Sequence, residues 1–200
     1  MSIKVADTAI IYPNVILGEN VVVEDYCIIG LPFKAMGQEE TIVGKDSVIR
    51  AGTYIYAGNR IGENFQTGNK VNIRELNEVG NNVSIGTLSV IEHHVVICNG
   101  ARLHSQVFIP EYSVLEGDCW VGPNVVLTNA LYPKHKSVKN DLKGVRIKQN
   151  AKIGANSTLL PGISIGKDCL IGAGSVVTKN TEDGVIAAGS PAKLFRKIDY

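Results

Sequence analysis

Aliphatic side chains recur every six residues along almost the whole chain. From Val43 the step passes Ile49, Ile55, Ile61, Thr67, Ile73, Val79, Ile85, Ile91, Ile97, Leu103, Ile109, Leu115, Val121 and Leu127, and only Thr67 breaks the aliphatic run. The same step joins Ile11, Leu17, Val23 and Ile29 before it, and Ile147, Ile153, Leu159, Ile165, Ile171 and Val177 after it. An α-helix turns once in about 3.6 residues, so positions six apart fall on different faces and no helix explains the pattern. Two residues ahead of the aliphatic position the side chain is usually small or β-branched, as at Val83, Ser89, Val95, Val107, Cys119 and Val125. The residue after it is often Gly, as at Gly44, Gly62, Gly80, Gly86 and Gly122. Each hexad therefore reads as a short strand with two inward side chains, then a turn in which Gly, Asn or Asp relieves a positive φ. Three hexads close one triangular coil, and stacked coils form parallel sheets: the predicted class is an all-β, parallel β-helix.

Two stretches interrupt the period. LPFKAMGQEETI, residues 31–42, shifts the register by about two residues, and the lysine-rich stretch 129–145 leaves the coil as a loop. Such a loop serves a β-helix little, so it is read as a wall or lid of an active site. The repeat predicts a β-helix over residues 1–182. The remainder, 183–200, reads as a strand and, from Ala192 to Ile198 after the Gly189-Ser190-Pro191 turn, a short amphipathic capping helix. Asn59 and Asn77 occupy the small inward slot one coil apart and are expected to be a hydrogen-bonded pair inside the prism.

Composition narrows the partners. A net charge of +1 gives no basic excess for nucleic acid, and aromatics are only 6%. No apolar run approaches the roughly 20 residues of a membrane span, and the amino terminus does not read as a signal peptide. Cys27, Cys98, Cys119 and Cys169 show no CxxC spacing, and Cys27, Cys119 and Cys169 fill inward slots. The expectation is a cytoplasmic protein with reduced thiols, no membrane contact and no nucleic-acid partner.

Through these repeats the chain resembles the hexapeptide-repeat acyltransferase family, whose fold is a left-handed parallel β-helix, over nearly its whole length. LPGISIGKDCLIGAGSVVTKN followed by AGSPAKLFRKI is similar to the carboxy-terminal segment of coenzyme A-using members. The resemblance implies acetyl-CoA as acyl donor, with Gly154, Ala155, Gly172, Ala173, Lys179, Lys193 and Arg196 as candidate contacts. It also implies a homotrimer with its active site in the cleft between two prisms. Small turn residues admit a thin ligand, and cations neutralise its phosphates.

Acyl transfer from a thioester needs an aligned acceptor, a base for the proton it sheds and donors for the oxyanion. The base is usually His, and the chain has four: His93, His94, His104 and His135. His93 and His94 occupy the turn after Ile91, and His104 stands after Leu103 where Gly is commoner. Ser89-Val90-Ile91-Glu92-His93 resembles a segment of bacterial nucleotide-amino-sugar N-acetyltransferases in which the matching His is the base. There an acidic residue often follows it; here His94 does, and Glu92 is expected to be the nearest carboxylate. Leu127-Thr128-Asn129 with Tyr132-Pro133 resembles single-domain 3-amino-sugar N-acetyltransferases, which makes Asn129, Tyr132 and His135 candidate acceptor contacts. Both comparisons imply a nucleotide-linked amino sugar as acceptor. A sugar-hydroxyl O-acetyltransferase, a zinc enzyme of the γ-carbonic-anhydrase kind and a non-catalytic scaffold remain as alternatives; the preferred reading needs no metal.

Overall fold

The structure is a computed structural model describing residues 2–33 and 39–199. Most hexads contribute a strand of two residues, one outward and one inward: Val90 is half-buried while Ile91 is fully buried. Strands stack in parallel on their equivalents one coil away, with Asn72 opposite Val90 and Val90 opposite Phe108, eighteen residues apart. The coil has three sheets, called A, B and C in the order the chain visits them, with eleven, nine and eight described strands. Sheet A holds Gln66–Thr67, Ser84–Ile85 and Arg102–Leu103; sheet B holds Asn72–Ile73, Val90–Ile91 and Phe108–Ile109; sheet C holds Glu78–Val79 and Val96–Ile97. The core is the column of aliphatics down the prism axis, with Cys27, Cys119 and Cys169 buried in it as free thiols. Burial pushes the Cys119 thiol up to about 12, so it packs and does not react. Among the described residues no helix is long and apolar enough to cross a membrane.

The turns divide their work differently from the simplest reading of the repeat. Positive φ falls on the third residue after the aliphatic one: Asn64, Asn82, His94, Tyr112 and Asn124 all adopt it. The Gly directly after the aliphatic residue is required instead by close stacking of coils. A Cβ on Gly86 would stand 2.4 Å from the carbonyl carbon of His104, and one on Gly154 would stand 2.4 Å from the nitrogen of Ala173.

Asn59 and Asn77 are both fully buried, and they form a ladder through backbone instead of a mutual side-chain pair. The Asn77 N–H donates to Oδ1 of Asn59 (3.1 Å) and the Val95 N–H to Oδ1 of Asn77 (2.7 Å). Both side-chain amides donate to the carbonyl of Arg74. This ladder fixes the turns that carry Arg74 and the His93–His94 pair.

Both interruptions leave the prism at one edge, where sheet B passes to sheet C. Ile28 pairs with Tyr54, twenty-six residues on, so the first inserts eight residues, two more than a hexad; its centre, 34–38, lies outside the described residues. Val126 pairs with Thr158, thirty-two residues on, and the second insertion contains a single 3-10 turn, Val138–Asn140.

The expected capping helix is a strand. Val185–Gly189 continues sheet A beside Leu170–Ile171, and Ala192–Lys197 folds back antiparallel on it. Six or seven residues are too few to offset helix nucleation, whereas the last rung of sheet A exposes a row of N–H and C=O groups that a hairpin satisfies.

Candidate active site

Stepping by eighteen along the B–C edge stacks Glu75, His93, Glu111 and Asn129 in one column between the two insertions. Nε2 of His93 lies 3.7 Å from Oε1 of Glu111, within ion-pair reach. The other oxygen of Glu111 accepts a hydrogen bond from Nδ2 of Asn129 at 2.6 Å. Nδ1 of His93 lies 2.8 Å from Nδ1 of His94. The Tyr112 ring packs against both imidazoles, with centroids at 6.0 and 5.7 Å. His93 is partly buried and His94 is exposed. The carboxylate facing His93 is thus Glu111, not the expected Glu92. A step of eighteen from His93 would have found it; reading only neighbours in sequence hid it.

Glu92 faces the previous coil. Arg74 donates to both oxygens of buried Glu75 (2.9 and 3.2 Å) and reaches Glu92 at 3.4 Å. Its guanidinium stacks on Phe33, from the start of the first insertion, and on Tyr56, at 4.6 and 5.1 Å. Burial holds the Glu92 carboxyl above its ordinary value; Arg74 pulls it back, and Glu111 adds repulsion. Arg74, Glu75, Phe33 and Tyr56 were all missed in the sequence, where no motif marks them.

His104 stands elsewhere, on the edge where sheet A passes to sheet B. Its column runs Gly68, Gly86, His104, Gly122, Gly154, Gly172. The imidazole packs on Trp120 at 4.7 Å between centroids, and its buried Nε2 has no partner among the described residues. Burial, aided by Arg102, depresses its pKa, which favours the neutral ring. Gly154, Ala155, Gly172 and Ala173 share this A–B edge. A Cβ on Gly174, the next turn residue, would meet open space, so the turn backbone there is bare. Lys193 joins this group, since it pairs with Ala188, whose Cβ lies 2.8 Å from the Cβ position of Gly172. Lys179 does not: it follows Val176–Val177 at the B–C edge, beside Val185 and Leu194. Arg196 lies at the far end of the hairpin, opposite Ile186, and is paired with Asp199.

The second insertion encloses a cavity of about 240 Å³ lined by Leu131, Tyr132, His135, Val138, Asp141, Lys143 and Pro161. Asn129 therefore braces Glu111 at the mouth of the loop, while Tyr132 and His135 line its interior. Nδ1 of His135 lies 2.9 Å from Oγ of Ser137, which donates to Asp141.

Comparison with known proteins agrees with the coil geometry. A family profile described as bacterial transferase hexapeptide (six repeats) matches residues 144–179, and one described as hexapeptide repeat of succinyl-transferase matches 41–57. A putative acetyltransferase of Saccharomyces cerevisiae is 34% identical over 60% of this chain and 59% of its own length. A galactoside O-acetyltransferase of Lactococcus lactis is 42% identical over 39% of this chain and 40% of its own. The matched region thus spans three fifths or less of these relatives. A solved UDP-N-acetylglucosamine O-acyltransferase of Moraxella catarrhalis shares the fold at a TM-score of 0.58 and 18% identity, over 96% of this chain and 73% of that one. Six-residue repeats in both matched regions, parallel coils of eighteen residues and the shared fold lead to one assignment: the chain carries the hexapeptide repeat of bacterial transferases on a left-handed parallel β-helix, and over three fifths of its length it is similar to an acetyltransferase.

Proposed function

We propose that the protein transfers an acetyl group from acetyl-CoA to the amino group of a nucleotide-linked sugar. The observation that carries this reading is the His94–His93–Glu111–Asn129 chain, set at one prism edge between the points where the two insertions leave it. A hydrogen-bonded imidazole pair backed by a carboxylate is the equipment for taking a proton from an attacking amine as the thioester carbonyl becomes tetrahedral. Bare turn backbone at Gly172–Gly174 and the cation of Lys193 suit a thin, phosphate-bearing donor along the A–B edge. Lys134, Lys136, Lys139 and Lys143 concentrate positive charge in the second insertion and make no ion pair among the described residues, which favours an anionic acceptor.

Donor and acceptor groups then sit on different edges of one prism, and a trimer unites them. The outward strand residues of sheet B, which include Ile28, Tyr54, Val90, Phe108 and Val126, carry no charge. Sheet A presents Arg102 and Lys152, and sheet C presents Arg60, Glu78 and Arg146. Three prisms with sheet B toward a common axis bring the A–B edge of each copy against the B–C edge of the next. Sedimentation reporting a monomer at micromolar concentration would refute both the trimer and the shared site.

The test of activity is free-thiol release from acetyl-CoA with UDP- and dTDP-linked amino sugars. Release that depends on the amino sugar supports the reading. Release with simple galactosides alone replaces it by sugar O-acetylation, the alternative that the Lactococcus relative favours.

A further inference from the structure

We infer that the proton acceptor is Nε2 of His94, and that His93 is a relay tying His94 to Glu111. The inference rests on the acyl-transfer reading above and assigns roles within that site.

The 2.8 Å contact joins Nδ1 of one imidazole to Nδ1 of the other, so a single hydrogen bond links them and only one nitrogen donates. Two arrangements satisfy it. If His93 donates, its Nε2 is an unprotonated lone pair turned toward the Glu111 carboxylate at 3.7 Å, where two acceptors repel. If His94 donates, His93 accepts at Nδ1 and holds its proton at Nε2, facing Oε1 of Glu111. The second arrangement satisfies every group. Glu111 cannot turn away cheaply, because Asn129 donates to its other oxygen at 2.6 Å. Nor does Glu92 compete for the imidazoles, since Arg74 holds it at 3.4 Å on the side of the previous coil, beside Glu75.

In that arrangement His93 has no free lone pair. The lone pair is on Nε2 of His94, which has no partner among the described residues and belongs to an exposed side chain. His94 stands at φ +56, the left-handed position of its turn, with the Tyr112 ring tilted 38° beside it. During acyl transfer an N–H bond of the tetrahedral intermediate breaks and an N–H bond forms at Nε2 of His94. The C–S bond breaks with its electron pair leaving on sulfur. The new imidazolium keeps its Nδ1–H on His93, whose Nε2–H points to the Glu111 anion. No tautomer must change when the proton leaves again.

Two measurements test this on the full chain. Long-range ¹⁵N–¹H spectra without substrate should show His94 protonated at Nδ1 and His93 at Nε2; the opposite pair of tautomers overturns the proposal. In the thiol-release assay His94→Asn should lower kcat by about 10²- to 10⁴-fold. It should remain folded, because Asn tolerates a left-handed turn. Glu111→Gln should move the acid limb of the kcat/KM profile to lower pH, because losing the anion makes the imidazolium less stable. Full activity in His94→Asn beside an inactive His93→Gln refutes the role of His94. If the unaltered protein releases no thiol with any acceptor, the acyl-transfer reading fails while the tautomers are still read.

Discussion

Arg74→Met isolates the strut beneath the histidine turn. Arg74 and Glu75 are 24% and 5% exposed at the side chain, and the guanidinium donates to both carboxylate oxygens. Removing one partner of a buried pair typically costs about 3–5 kcal/mol, because the remaining charge stays desolvated. Arg74 is a quarter exposed, so water entering its place reduces that penalty. Losing the stacking on Phe33 and Tyr56 adds about 0.5–1 kcal/mol per ring. The two corrections nearly offset, so the expected loss stays at about 3–5 kcal/mol. Urea unfolding at pH 7, at fixed protein concentration, measures it, with an unchanged slope indicating the same unfolding reaction. The double variant Arg74→Met/Glu75→Gln removes the stranded charge and should regain about half the loss. A single-variant loss under about 1 kcal/mol, or no recovery in the double variant, would refute the reasoning. The Arg74–Glu75 pair would then be solvated decoration rather than the support of the Glu92–His94 turn.

Other perturbations separate the two edges. His104→Gln should raise KM for acetyl-CoA while leaving the pH profile of kcat in place, since His104 lies on the A–B edge away from the imidazole pair; a lost acid limb would instead make it the base. Lys193→Glu should weaken CoA binding by about 1.5–3 kcal/mol, the range of a charge-assisted phosphate contact, whereas Arg196→Glu should matter less. Arg196 is already paired with Asp199 and stands about 10 Å further along the strand; titration calorimetry giving equal losses would overturn that ranking. Glu92 is held above its ordinary value in the folded chain, so its contribution to stability is present below about 4.5 and is lost as pH rises through the folded value. The stability of Glu92→Gln relative to the unaltered protein should therefore improve from pH 4 to pH 7, and urea midpoints with a constant difference would contradict this.

The fold was legible because a β-helix writes itself locally. Each hexad meets the same environment as the one before it, so inward Ile91 and Ile109 and small Val95 and Val107 repeat as a pattern any short window reveals. The inward slots of Cys27, Cys119 and Cys169 followed from register alone. The family resemblance singled out the histidine turn and the carboxy-terminal segment, which the repeat itself does not mark.

Contacts one coil apart were not legible in the same way. Glu111 reaches His93, and Arg74 reaches Glu92, across eighteen residues, a distance at which side-chain pairing depends on how coils stack and not on neighbours in sequence. The sequence therefore chose Glu92 as the partner of His93 and missed the column that Asn129 completes. The last strand was misread for a related reason: Ala192 to Ile198 is amphipathic enough for a helix, but the open edge of sheet A offers hydrogen bonds that only the assembled prism presents. Sequence alone determined the period, the inward residues and the presence of two insertions. Only the tertiary structure decided that both insertions leave the same edge, that His93 and His104 stand on different ones, and that Glu111 faces His93 across a coil, because each depends on the direction in which a turn faces once three hexads have closed a coil.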